Sequence, residues 1–248
     1  MKDTNLESRN AEPTQFPVTQ WSLVVAAGQD DDARSYVALT CLCQTYWYPL
    51  YAFVRRQGRS REEAQDLTQG FFAHLIEKRA LGTVDRTAGK FRSFLLTSLR
   101  NFVANEWERA RAQKRGGGQS VISLDAAYAE IRFDLEPADH ASPEVLFERN
   151  WALALMEQAL ARLRAEQSEA GKTAQFAALQ PCLMNEADAP RYAKLAAELA
   201  TTEAAVKMAV SRLRRRYRDL LREEIAQTVN SPAEVEEEIR HLFAALER

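Results

Sequence analysis

The stretch AAVKMAVSRLRRRYRDLL, residues 204–221, decides how this chain is read. Val206, Val210, Leu213, Tyr217 and Leu220 recur every three or four residues, the spacing of one face of an α-helix. The remaining faces carry Lys207, Arg212, Arg214, Arg215, Arg216 and Arg218, with Arg222 just beyond. Between residues 203 and 222 seven basic residues stand against two acidic ones, a local net of +5. Arginine stems lying along an apolar stripe would account for that much on a solvated surface helix. The residues just upstream point further. Tyr192 to Leu199 reads as a short helix, and Ala200-Thr201-Thr202 as a turn whose last residue caps the arginine-rich helix. Ala196 and Ala197 are small where two helices must cross closely, and Leu195, Leu199, Val206 and Val210 fill the angle between them. That is a helix-turn-helix. An ordinary helical hairpin has the same spacing, but a +5 outer face on the second helix fits the major groove of DNA.

The totals conceal this. The chain has 248 residues, 46% hydrophobic and 27% charged, with a net charge of −2, which suits one or two globular domains. The charge is laid out in blocks. Residues 90–115 carry seven basic and two acidic residues (+5), and 116–149 carry seven acidic and two basic (−5). After the +5 helix, residues 223–248 return to −5, again seven acidic against two basic. Two basic helices, each followed by an acidic stretch, predict two contact surfaces with separate electrostatic footprints. Cys41, Cys43 and Cys182 make no disulfide framework and are expected as reduced core thiols. His74, His140 and His241 lie in unrelated segments, so neither a metal site nor any cofactor is expected. No apolar run approaches the roughly 20 residues of a membrane span. The polar start MKDTNLESRNAEPTQ lacks a signal-peptide core, which predicts a cytoplasmic protein with no membrane partner.

Strand signals are nearly absent, and the chain is expected to be all-α. Residues 34–48 and 49–57 have helical apolar patterns, with Pro49 either kinking one helix or opening the second. Ser60-Arg61-Glu62-Glu63 is a capping box opening a helix to about residue 79, with Leu67, Phe71, Phe72, Leu75 and Ile76 inside. The loop GTVDRTAGK occupies 82–90, and a long helix follows from 91 to about 114, stopped by three glycines. Periodicity fades over 119–142, which reads as an acidic linker. Ser142-Pro143 opens the next helix, with Leu146, Trp151, Leu155, Leu160 and Leu163 on its apolar side. Another helix is expected at 172–184, and a last one at the capping box Ser231-Pro232-Ala233-Glu234. The expected organisation is an N-terminal extension (1–33), a helical domain (34–115), the acidic linker (116–141), the helix-turn-helix domain (142–228) and an acidic helix (229–248).

Three stretches in the N-terminal and C-terminal halves, DLTQGFF (66–72), FRSFLLTSLRN (91–101) and VKMAVSRLRRRYRDLL (206–221), carry a resemblance to the bacterial sigma-70 family. The likeness is to its small two-domain members, the extracytoplasmic-function (ECF) class. It covers about residues 35–115, the family's region 2, and 142–228, its region 4. The resemblance implies a sigma factor that binds core RNA polymerase, recognises minus-10 and minus-35 promoter elements and helps melt the DNA. It places Asp66 and Gln69, three apart on one helical face, on the surface that docks on the polymerase. Gly70 stands where the family usually has an acidic residue. The loop with Val84, Asp85, Arg86 and Lys90, and the helix with Arg92, Arg100, Asn101 and Arg109, match the element that reads the minus-10 strand. There Asn101 occupies the position that helps hold a flipped base. A protein that opens DNA must stabilise unstacked bases and follow a single strand with positive charge. Trp107, at helical spacing from Val103, is expected to be packed.

In the same reading Thr202, Lys207, Met208, Ser211, Arg212 and Arg215 face the minus-35 element. Arg214, Arg216, Arg218 and Arg222 neutralise phosphates or pair with Glu223 and Glu224. Met208 and Ser211, on the exposed early turns, are the candidates for sequence preference, since base contacts specify and phosphate contacts position. Partners are core polymerase and promoter DNA, with an anti-sigma factor or other regulator as a further kind of partner. The alternative is a helix-turn-helix regulator independent of polymerase, its N-terminal half a dimerisation or sensing domain. That leaves the basic helix 91–115 without a role. An enzyme is not expected, because neither a phosphate-cradling glycine loop nor a nucleophile–base set is present.

Overall fold

The computed structural model describes residues 33–77, 90–112, 126–136, 141–183, 189–229 and 231–247. All regular elements among these residues are helical, so the protein is all-α. The first helix, α1 (Ala33–Arg56), runs unbroken through Pro49. The sequence pattern allows a second helix to open there, and the structure has one helix instead. An interior proline costs about 3 kcal/mol. The burial of Tyr46, Trp47, Leu50, Tyr51, Phe53 and Val54 around it offsets that cost.

Helix α2 (Arg61–Glu77) begins at the expected capping box. Glu63 N–H donates to Ser60 Oγ at 3.1 Å, and Ser60 N–H to Glu63 Oε2 at 3.0 Å. Phe71, Phe72 and Leu75 are buried as expected and Leu67 is partly buried. Phe72 stacks on Trp47 of α1 with ring centres 5.8 Å apart. Helix α3 (Phe91–Ala112) closes this unit. Phe91 meets Tyr46 edge-on at 5.2 Å, and Phe102 lies against Gly70. A Cβ at Gly70 would stand 3.3 Å from Phe102 Cζ. Gly70 therefore serves the close approach of α2 and α3.

The stretch expected as a linker holds a helix, α4 (Ala126–Leu135). No apolar stripe announces it, because its docking onto α1 is mostly polar. Glu130 accepts from Tyr51 Oη and from Arg55 Nη2 at 2.8 Å, while Glu136 accepts from Tyr48 Oη at 2.5 Å and Arg56 Nη2 at 3.2 Å. The Arg55 and Arg56 guanidinium carbons each lie 4.7 Å from the Phe133 ring centre, a cation–π arrangement. Burial opposes ionisation of Glu130, but the bonds from Arg55 and Tyr51 hold its carboxyl below the ordinary range.

Helix α5 (Pro143–Glu169) organises the rest. Ser142 caps it, accepting from Val145 N–H at 3.4 Å, with Pro143 in the first turn. Its 27 residues span about 40 Å, and two different partners use its length. The first half packs on α1, with Phe147 edge-on to Phe53 at 6.4 Å and Trp151 Nε1 donating to Tyr46 Oη at 3.1 Å. The second half packs on α8 (Glu203–Ala226), where Tyr217 Oη donates to the Met156 carbonyl at 3.1 Å. Burial pushes the Tyr217 hydroxyl up to about 12. Between them come α6 (Thr173–Leu179), continued by a short 3-10 turn (Gln180–Cys182), and α7 (Ala189–Glu198). The last helix, α9 (Pro232–Leu246), starts at the expected Ser231 cap and buries Val235, Leu242 and Ala245. Buried residues of all these helices form one contiguous cluster.

Candidate nucleic-acid interface

Helices α7 and α8 make the helix-turn-helix. Thr201 N–H donates to Ala196 O at 2.9 Å and Ala200 N–H to Ala197 O at 3.3 Å, which ends α7 in the paired-bond pattern usual before a left-handed residue. That residue is Ala200, at φ 48°, where glycine would be free of strain. Thr202 then opens α8, its hydroxyl accepting from Ala205 N–H at 3.2 Å. Thr202→Ala is expected to cost about 1 kcal/mol, read as a lower melting temperature with the fold retained. The five stripe residues Val206, Val210, Leu213, Tyr217 and Leu220 are all buried, as are Leu195 and Ala196 of α7.

The cations of α8 divide into two sets. Lys207, Arg212, Arg215 and Arg218 are exposed, as are Met208 (62%) and Ser211. Lys207 Nζ lies 5.6 Å from the Tyr192 ring centre. The second set is held inward. Arg214 donates to the Cys182 carbonyl at 2.8 and 3.1 Å, and Arg216 to Glu166 at 2.7 and 2.9 Å and to Glu223 at 3.0 Å. Those bonds hold the Glu166 carboxyl below its ordinary range. Arg222 pairs with Glu236 of α9 at 3.1 Å rather than with Glu223 or Glu224. Glu223 and Glu224 take Arg162 of α5 instead, at 2.6 and 2.5 Å.

On the other unit, Asp66 is exposed and Gln69 half-buried on one face of α2. Asn101 is exposed on α3. Arg100 is half-exposed, pairs with Glu144 and lies 5.4 Å over the Phe53 ring. Val84, Asp85 and Arg86, and the Arg109 side chain, fall outside the described residues. Two basic residues of the candidate surface are engaged within the chain, and one packing expectation needs correction. The sequence presents Lys90 and Arg92 as charge offered to DNA, but both are drawn into ion pairs with α9, and Arg92 is 4% exposed. Opposite charge 147 residues beyond Lys90 captures it. Trp107 is expected to be packed and is instead 50% exposed. Seven residues beyond Arg100, it shares that residue's helical face. Its spacing from Val103 is a misleading signal, since Val103 is itself only partly buried.

Among the described residues no cluster of three or more His, Cys, Asp or Glu is placed to hold a metal ion. Nor is any helix among them long and apolar enough to cross a membrane. Cys182 is a buried free thiol. No curated protein and no solved structure matches the chain. Residues 43–113, which run from within α1 past the end of α3, match the family model of sigma-70 region 2. The bundle of α1, α2 and α3 thus matches sigma-70 region 2, and this part of the chain is similar to that family.

Proposed function

We propose that this protein is a two-surface sigma factor of ECF-like organisation, which binds core RNA polymerase and reads both promoter elements. The observation that carries the reading is the co-occurrence of region 2 with a second, separate DNA-reading geometry: a helix-turn-helix whose second helix exposes Lys207, Met208, Ser211, Arg212 and Arg215. Residues 142–228 act as region 4 on the minus-35 element. Asp66 and Gln69 dock on the polymerase. Asn101 and the loop before α3 take the minus-10 strand, with Arg100 and Arg109 following its backbone. Trp107 joins them as a stacking platform, because an exposed indole on a basic helix offers a sequence-tolerant surface to an unstacked base. The chain supplies no catalytic group; the chemistry belongs to the polymerase. An anti-sigma factor or other regulator would act by covering one of these surfaces.

The test is capture of core polymerase by the full chain. Asp66→Ala with Gln69→Ala is expected to weaken capture at least about tenfold, the loss of roughly 1.4 kcal/mol, with an unchanged helical spectrum. Failure of the parent chain to capture polymerase would instead favour the polymerase-independent regulator.

A further inference from the structure

The start of α3 is gripped by α9. Lys90 Nζ lies 2.9 Å from Glu237 Oε1 and 2.8 Å from Glu238 Oε2. Arg92 Nε lies 2.7 Å from Glu148 Oε2 of α5, and its Nη1 contacts Glu238. The Arg92 guanidinium also sits 4.7 Å over the Trp151 ring. His241 of α9 completes the cluster, its Nε2 2.8 Å from the same Glu148 oxygen. Glu238 is 2% exposed. The Lys90 ammonium holds the Glu237 carboxyl below its ordinary range. The next carboxylate along, Glu236, reaches the other basic helix at Arg222. Three consecutive glutamates of one short helix thus bind cations on α3, just ahead of it, and on α8.

Such a cluster is a poor device for stability alone. Burying a carboxylate and a guanidinium costs about as much as their attraction returns, and apolar side chains would serve as well. It is a good device for reversible occupation, because lysine and arginine bind carboxylate and phosphate with the same donors. We infer that α9 is an internal stand-in for a nucleic-acid strand. Its glutamates occupy the phosphate-binding groups of Lys90 and Arg92 in the free protein, and a single-stranded backbone displaces them. The inference rests on the reading of α3 as the strand-reading helix, and it adds regulation: the tail sets how much of that surface is open.

The experiment uses the full chain and a short single-stranded oligodeoxynucleotide. Glu237→Gln with Glu238→Gln keeps Val235, Leu242 and Ala245 in place while removing the competing charge. Glu247→Gln removes a carboxylate just beyond α9, away from Lys90 and Arg92, and serves as the control. The double variant is expected to bind the oligonucleotide more tightly than parent and control. Its log K against log salt should be steeper by about 0.7 for Lys90, which loses both its carboxylates, while Arg92 keeps Glu148. Adding Lys90→Gln should return most of that added slope. Glu237→Gln alone, whose side chain is 58% exposed, covers the case in which losing the buried Glu238 charge unfolds α9. Affinity and slope equal to those of the Glu247→Gln control, for both Glu237 variants, would overturn the inference. Capture of core polymerase by the parent chain reports separately on the sigma-factor reading, so either conclusion can fail while the other stands.

Discussion

Replacing Trp151 with alanine is expected to lower the unfolding free energy by about 3–5 kcal/mol, a large share of the stability of a typical domain. The indole is fully buried, donates to Tyr46 Oη and carries the Arg92 guanidinium over its face. Its removal leaves a cavity, a hydroxyl short of one partner and a buried cation without its aromatic support. The effect should reach both ends of the molecule. Trp151 sits on α5 where α1, α3 and α9 converge, and the same helix carries α8 farther along. Urea unfolding of the parent should show one transition, by helical signal and by tyrosine fluorescence alike. The variant should keep a single transition at a lower midpoint. Two separated transitions would mean that the α1–α3 bundle and the helix-turn-helix fold independently and that α5 merely lies between them.

The second large effect concerns the exposed cations of α8. Lys207→Ala, Arg212→Ala and Arg215→Ala together are expected to weaken promoter binding by the polymerase complex. The dependence on salt should flatten by about 0.9 in log–log slope for each duplex phosphate that is no longer neutralised. Met208→Ala or Ser211→Ala should leave that slope alone and change which minus-35 sequences are preferred, by about 1–3 kcal/mol for a mismatched base. Arg216→Ala provides the contrast. Its guanidinium is already committed to Glu166 and Glu223, so its removal should appear in stability while the salt slope is kept. Titrations of a promoter duplex over a salt series, beside thermal melts, separate the two sets. If Arg216→Ala flattened the slope as much as the triple variant did, the division of α8 into outward and inward cations would be wrong.

Local signals located most of the helices. Ser60, Ser142, Thr202 and Ser231 mark four helix starts because a capping hydroxyl acts within three residues of itself. The apolar stripe of α8 is likewise local, and every member is buried. What escapes the sequence is contact between distant segments. Helix α4 docks through Glu130, Phe133 and Glu136 on tyrosines and arginines about 75 to 90 residues away, so it has no stripe to read. The charge blocks are visible as blocks. Their pairing is not, and it engages Lys90 and Arg92 in ion pairs with α9. Leu146, Trp151, Leu155 and Leu163 are legible as the apolar side of α5, while its division between α1 and α8 depends on how the helices meet in space.

The contact between Gly70 and Phe102 makes these positions a single unit of inheritance. The ring of Phe102 leaves a Cβ at residue 70 only 3.3 Å of room, so the acidic residue that the resemblance expects there requires the ring to shift by a few tenths of an ångström. A descendant of this chain would regain a carboxylate beside Gln69 most easily together with a ring shift or a smaller side chain at 102. A smaller side chain there opens a gap between α2 and α3. On the docking surface proposed for α2, Asp66 and Gln69 would then make the contact, while any change at position 70 is coupled to the ring at 102.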